Sequence, residues 1–183
     1  MRLVFVTSNE NKARELSHIL GFGVEVASLG LPELQSMAVD EVARSKARIA
    51  YSKLRRPVIV EDTGVYITAF GGFPGALAKW FVKGLGYEGA CRALDISNDR
   101  SAYAETCIAF YNGKRAKEFT GRICGSIALH PRGGSNFGWD RMFIPKGYKR
   151  TFAEMSIEEK SNISMRGIAG RKLKKFLQGN KMA

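Results

Sequence analysis

The sequence predicts one α/β domain with a central mixed β-sheet, split into two lobes around a cleft. Strand and helix patterns alternate through the first part of the chain, as parallel units require. The segment PVIVED, 57–62, is apolar on both faces, as in a sheet covered from both sides. Strand patterns at 102–111 and 115–129 are joined by Asn112-Gly113, a hairpin signal, which makes the sheet mixed. A chain of 183 residues with 45% hydrophobic content fits one domain with a proper core. No repeat, low-complexity segment or linker divides it, so residues 1–183 read as a single domain.

The elements follow in order. Residues 2–8 form a strand that ends in Thr7-Ser8-Asn9. A helix covers 10–20, with Leu16, Ile19 and Leu20 on one face, Asn9 as N-cap and Gly21 as stop. VEVAS, 24–28, is a strand; 39–53 is a helix with Val42, Ala43, Ala47, Ile49 and Ala50 apolar. The glycine-rich GGFPGA precedes a helix near 76–83, and a second helix covers 87–95. Helix returns from 152 onward. There Ser156 and Glu159 form a capping box, Ser164 is a second cap and Gly179 a stop, and the tail over 179–183 frays.

The formal net charge of +12 selects polyanionic partners, either nucleic acid or nucleotide phosphates. Basic residues crowd the segment from Lys146 to Lys175, where part of the excess is a solvated helix face (Lys172, Lys174, Lys175). No segment approaches the roughly 20 apolar residues of a membrane span. The N-terminus has no apolar stretch with a cleavage site, so a cytoplasmic protein without a membrane partner is expected. Cys91, Cys107 and Cys124 are odd in number, widely spaced and without a CxxC pair. This argues against a zinc or disulfide framework and for small core residues in a reducing compartment. His18 and His130 lack a nucleophile partner, and no GxSxG elbow occurs, so metal-assisted attack by water fits better than a triad.

Four segments carry chemistry. In TSNENK, Lys12 falls in the first turn of a helix, where the dipole disfavours a cation unless an anion binds there. In VIVEDTG, Glu61 and Asp62 end an apolar strand, where ligands of open α/β sheets gather and carboxylates can hold Mg²⁺. Either one acid points into the cleft, or the strand breaks at Gly64 and both reach it. In NFGWDRMF, Phe137 and Trp139 can sandwich a flat base, Gly138 allows close approach, and Asp140 can accept a hydrogen bond; packing into the core is the competing role. In EEKSNISMRG, Arg166 repeats the oddity of Lys12, and the two together suggest an anion between helix ends.

With LPELQ and GGFPGALAKWF added, these segments keep an order over nearly the whole chain that resembles the inosine-triphosphate pyrophosphatase family. The resemblance implies an elongated α/β fold, a homodimer, Mg²⁺, and no obligatory nucleic acid. It also implies hydrolysis of inosine, deoxyinosine and xanthosine triphosphates to the monophosphate and pyrophosphate. By position, Thr7, Ser8, Asn9 and Lys12 look like the phosphate loop, with Thr63 a further substrate contact. Glu33 looks like a metal ligand, and Asp62 like the second ligand and the acid that activates water. Lys46 and Lys79 match substrate lysines, and Phe137, Gly138, Trp139 and Asp140 match the base loop. Lys160, Met165 and Arg166 match substrate contacts near the C-terminus. The family usually reads Ser-His-Arg where this chain has Ser164-Met165-Arg166, and proline where it has Arg141. On this reading Arg166 donates to O6 of the base and Asp140 accepts from its N1–H, a pair that adenine reverses. The alternatives are a related pyrophosphatase for other modified nucleotides, or a basic module binding single-stranded nucleic acid through Phe137 and Trp139. The second leaves Glu33, Glu61 and Asp62 without a purpose.

Overall fold

The structure, a computed structural model, describes residues 3–134 and 137–179. In chain order it contains β1 (Val4–Val6), α1 (Glu10–Leu20), β2 (Glu25–Ala27), α2 (Val39–Leu54), β3 (Val58–Ile67), β4 (Pro74–Gly75) and α3 (Ala78–Arg92). Then come β5 (Ser101–Tyr111), β6 (Ala116–Ile127), β7 (Phe143–Pro145), α4 (Ile157–Ile163) and α5 (Met165–Gly179). The sheet runs β2-β1-β3-β5-β6-β7, with β4 paired to β3. β1 is parallel to β2 and β3, and the remaining pairs are antiparallel, so the sheet is mixed as expected.

Side-chain alternation builds the layers. Phe5, Ile59, Ile108 and Phe110 pack against Leu16 and Leu20 of α1 and Leu173 and Leu177 of α5. The intervening Val4, Val6, Val58 and Val60 pack on the other face, against Val39, Ala43 and Ala47 of α2. Farther along the same strands a separate core begins. Val65, Ile67, Ala102 and Ala104 join Ala90, Cys91 and Leu94 with Phe143 and Phe152. Thus β3, about 30 Å long by its ten residues, serves two cores. Residues 61–63 fall at the join, and they line the cleft.

Several local signals are realised. The Asn9 side chain accepts from Lys12 N, and α1 stops at Gly21 with φ 75°. Ser156 and Glu159 cap each other, and Ser164 Oγ accepts from Gly167 N at 3.1 Å. The hairpin between β5 and β6 turns at Asn112, whose Oδ1 accepts from Lys114 N and Arg115 N.

Other boundaries are corrected. β3 does not stop at 62 but pairs with β5 through Ile67. Gly64 does not break it. A Cβ there would lie 2.6 Å from the Gly75 carbonyl carbon, so glycine is what admits β4 alongside. The two helices predicted over 76–95 do meet at a break, Gly86 (φ 69°, ψ 171°), but the second ends at Arg92 rather than 95. Helix after 152 begins as a short 3₁₀ turn, Phe152–Glu154, before α4. Cys91 and Cys107 are buried as expected, but Cys124 is exposed. Arg2 of the first predicted strand, Asn136 of the base loop and the tail residues 180–183 lie outside the described residues. Among the described residues, no helix is long and apolar enough to cross a membrane.

Candidate active site

A cleft of about 910 Å³ opens where the two cores meet, within the size range of small-molecule sites. The β1–α1 turn brings Thr7, Ser8, Asn9 and Lys12 to it; the loop before α2 brings Glu33, and α2 brings Lys46. β3 contributes Glu61, Asp62 and Thr63, and α3 contributes Lys79. Phe137, Gly138, Trp139 and Asp140 close one end together with Met165 and Arg166 at the start of α5. Lys160 alone of the predicted contacts is absent from the lining.

Because β3 continues through Gly64, Glu61 and Asp62 point to opposite faces of the sheet. Asp62 faces α2. There Lys46 Nζ donates to Glu33 Oε1 (2.8 Å) and Asp62 Oδ1 (3.3 Å), so both carboxylates reach one cation. Asp62 Oδ2 is buried without a hydrogen-bond partner. Burial pushes the Asp62 carboxyl above the ordinary aspartate value, with the Glu33 charge adding to it, against the pull of Lys12 and Lys46. Burial also acts on Glu33, but Lys46 outweighs it and holds that carboxyl low. The orphaned oxygen, the all-oxygen donor pair and the ammonium already between them fit a hard divalent cation. Among the described residues no group of three or more His, Cys, Asp or Glu converges. Two carboxylates suffice for Mg²⁺, which takes its remaining ligands from water and phosphate.

Glu61 faces the other way, toward α1 and α5. Arg166 grips it with a two-pronged fork: Nε to Oε2 and Nη2 to Oε1, both 2.8 Å. Lys12 Nζ lies 3.4 Å from Oε1 of the same carboxylate. The two cations at helix starts therefore do meet at an anion, but that anion is the protein's own Glu61. Burial pushes the Glu61 carboxyl up, yet Arg166 and Lys12 together bring it down to about 2. Arg166 is only 1% exposed and its Nη1 also pairs with Glu15. Glu15 in turn accepts from Lys160 Nζ (2.8 Å), which also donates to Asp140 (2.5 Å). Lys12, Glu61, Arg166, Glu15, Lys160 and Asp140 thus form an alternating, charge-balanced chain from the β1–α1 turn to the FGWD loop.

This chain corrects one expected placement and constrains one expected donor. Lys160 is set back beneath the cleft, where two carboxylates neutralise it and where it fixes Asp140. Arg166 commits three N–H donors to carboxylates. The second N–H on Nη1 and on Nη2 is what it retains. The aromatic sandwich is corrected as well. Trp139 is 6% exposed and packs edge-on to Phe143, 5.6 Å between centroids, inside the distal core. Phe137 is the half-buried ring at the cleft, with Lys160 Nζ 4.6 Å and Arg166 Cζ 5.2 Å from its centroid. Single-strand stacking needs both rings open, so that alternative loses its platform. Met165 is buried in the same core as Trp139, and Arg141 stacks over Tyr87 at 5.2 Å.

The turn from Thr7 to Lys12 is braced internally. Thr7 Oγ1 accepts from Asn9 N and Asn9 Oδ1 from Lys12 N, both 3.1 Å, which leaves the Thr7 hydroxyl proton free to donate. Thr63 Oγ1 donates to Glu61 Oε1 (2.9 Å) and lies 2.8 Å from Thr106 Oγ1. Sequence reasoning passed over Glu15, although an acid beside Leu16 on the buried face of α1 signals an internal cation. It also passed over Trp80, Lys83 and Tyr87 of α3, which line the cleft.

The profile of the Ham1 family matches residues 3–176. The chain is 40% identical to the dITP/XTP pyrophosphatase of Thermococcus kodakarensis, covering 98% of this chain and 99% of that protein. It is 45% identical to the inosine triphosphate pyrophosphatase of Yarrowia lipolytica, covering 97% and 96% respectively. The fold is similar to that of the Staphylococcus aureus Ham1 protein, with a TM-score of 0.81 at 26% identity over 98% of this chain and 100% of that one.

Proposed function

The chain belongs to the Ham1 family, and from that premise we infer that it hydrolyses non-canonical purine nucleoside triphosphates to the monophosphate and pyrophosphate. Its substrates are inosine, deoxyinosine and xanthosine triphosphates. The observation that carries this reading is the pairing of Glu33 and Asp62 about one cation at the floor of a cleft rimmed by lysines.

Glu33 and Asp62 would hold Mg²⁺, which when bound offsets phosphate charge and polarises the phosphoryl oxygens. The protein's own residues do the rest. The loop from Thr7 to Asn9, at the N-terminus of α1, presents donors to the phosphates. Lys12, Lys46 and Lys79 balance their charge. Asp62 takes the proton of the water that attacks the α-phosphorus, through a carboxylate oxygen, Oδ2, that no protein group occupies. The water oxygen bonds to the α-phosphorus as the bond to the α–β bridging oxygen breaks, and the electron pair leaves with pyrophosphate. Alignment and charge stabilisation carry most of the rate.

At the base end, Lys160 fixes the Asp140 carboxylate so that it accepts from N1–H of hypoxanthine or xanthine. The remaining N–H groups of Arg166 donate to O6. Adenine presents the reverse pair. The enzyme acts as a cytoplasmic homodimer and needs no nucleic acid. Pyrophosphate release from inosine triphosphate tests the reading. Equimolar pyrophosphate and inosine monophosphate are expected with Mg²⁺, and little turnover with a chelator. Release of orthophosphate and the diphosphate instead would overturn it.

A further inference from the structure

The α3 rim of the cleft carries charge that the mechanism above leaves partly unused. Lys79 and Lys83 stand one turn apart, about 6 Å between their Cβ atoms, a spacing at which like charges repel. Both ammonium groups nevertheless lie over one ring: Lys79 Nζ is 5.4 Å and Lys83 Nζ 5.2 Å from the centroid of Trp80. Among the described residues, Lys83 makes no ion pair within 4 Å, and α3 has no acid in its first turn. Lys79 lines the same cleft as Glu33 and Asp62. The ring itself is 54% exposed, unusual for an indole with an apolar core beside it, and all three residues line the cleft.

The acids of the cleft are elsewhere engaged. Glu33 and Asp62 share Lys46, while Glu61 and Asp140 belong to the balanced buried chain. Uncompensated positive charge therefore collects on the α3 rim, held by cation–π contact until an anion replaces it. When the α–β anhydride breaks, the new negative charge appears on the departing pyrophosphate, and an adjacent cation pair is worth most at that moment.

We propose that Lys83, held with Lys79 against Trp80, forms a subsite for the pyrophosphate leaving group. It contacts the β- and γ-phosphates in the substrate and faces the charge that the bridging oxygen passes to them. No proton moves through Lys83, since its ammonium acts by charge. This rests on the reading of the cleft as a triphosphate site and adds the part of that site that takes the leaving group.

Calorimetric titration with inorganic pyrophosphate and Mg²⁺, and separately with inosine monophosphate, tests it. Lys83→Ala is expected to weaken pyrophosphate on the order of tenfold, to leave the monophosphate unchanged, and to lower kcat/KM for inosine triphosphate by a similar factor. Lys83→Arg restores most of the loss. Pyrophosphate should also change tryptophan emission, a change that Trp80→Phe abolishes because Trp80 carries the two ammonium groups while Trp139 sits with the FGWD loop at the other end of the site. Unchanged pyrophosphate affinity in Lys83→Ala would overturn the proposal, as would an equal loss for the monophosphate. Wild-type protein that binds pyrophosphate through Lys83 yet releases none from inosine triphosphate would overturn the reading of the cleft and leave the anion subsite standing.

Discussion

Asp62→Asn is expected to lower kcat on inosine triphosphate about a thousandfold, at the middle of the range for loss of a general base, with KM nearly unchanged. The fold should be as stable as the wild type or more so. The Asp62 carboxylate is buried, one of its oxygens has no partner, and burial already raises its affinity for protons. A neutral side chain of the same shape removes that desolvation penalty. Lys46 keeps its bond to Glu33, so it is not left as an unpaired buried cation. Steady-state kinetics beside a thermal melt separates the two effects. Near-normal turnover would show that Asp62 is not the group that activates water.

Arg166→Leu has the opposite signature, with stability lost first. Two buried carboxylates, Glu61 and Glu15, share one guanidinium that is itself 1% exposed, and without it Lys12 and Lys160 must balance three carboxylates, Asp140 included. Removing one partner of a buried pair costs about 3–5 kcal/mol, because the charge left behind stays uncompensated. For a chain of this length that lowers Tm on the order of 10 °C. Arg166→Lys should recover only part, since an ammonium cannot reproduce the two-pronged grip on Glu61. Adding Glu61→Gln to Arg166→Leu should restore some stability by removing the stranded charge. A loss below about 1 kcal/mol for Arg166→Leu would mean that the network is hydrated and weak.

These two variants mark where sequence reasoning reached and where it stopped. Local rules were legible: Asn9 caps its helix, Ser156 and Glu159 reciprocate, and Asn112 turns a hairpin, because each depends on neighbours a few residues away. The alternation of Glu61 and Asp62 across β3 was legible as one of two options, but Gly64 left open whether the strand continued. The misplaced cations Lys12 and Arg166 did announce an anion. Its identity was hidden, because Glu61 is 49 residues from one and 105 from the other. Nothing in local spacing separates an internal carboxylate from a ligand phosphate. Which ring of the FGWD loop faces the cleft was hidden for a related reason. Phe137 and Trp139 are two apart in sequence, yet Trp139 turns into the distal core formed with Phe143 and Phe152 while Phe137 remains at the cleft. Only the tertiary packing of that loop decides which ring goes inward.

The most direct test of the account compares kcat/KM for inosine and adenosine triphosphates under identical Mg²⁺. Both carry the same triphosphate, so only the edge of the base differs. A pocket whose fixed Asp140 and Arg166 are matched to N1–H and O6 predicts a preference for inosine of a thousandfold or more, within the reach of sites that leave buried polar groups unpaired by the wrong base (about 10⁴–10⁵). Comparable values for the two nucleotides would contradict it.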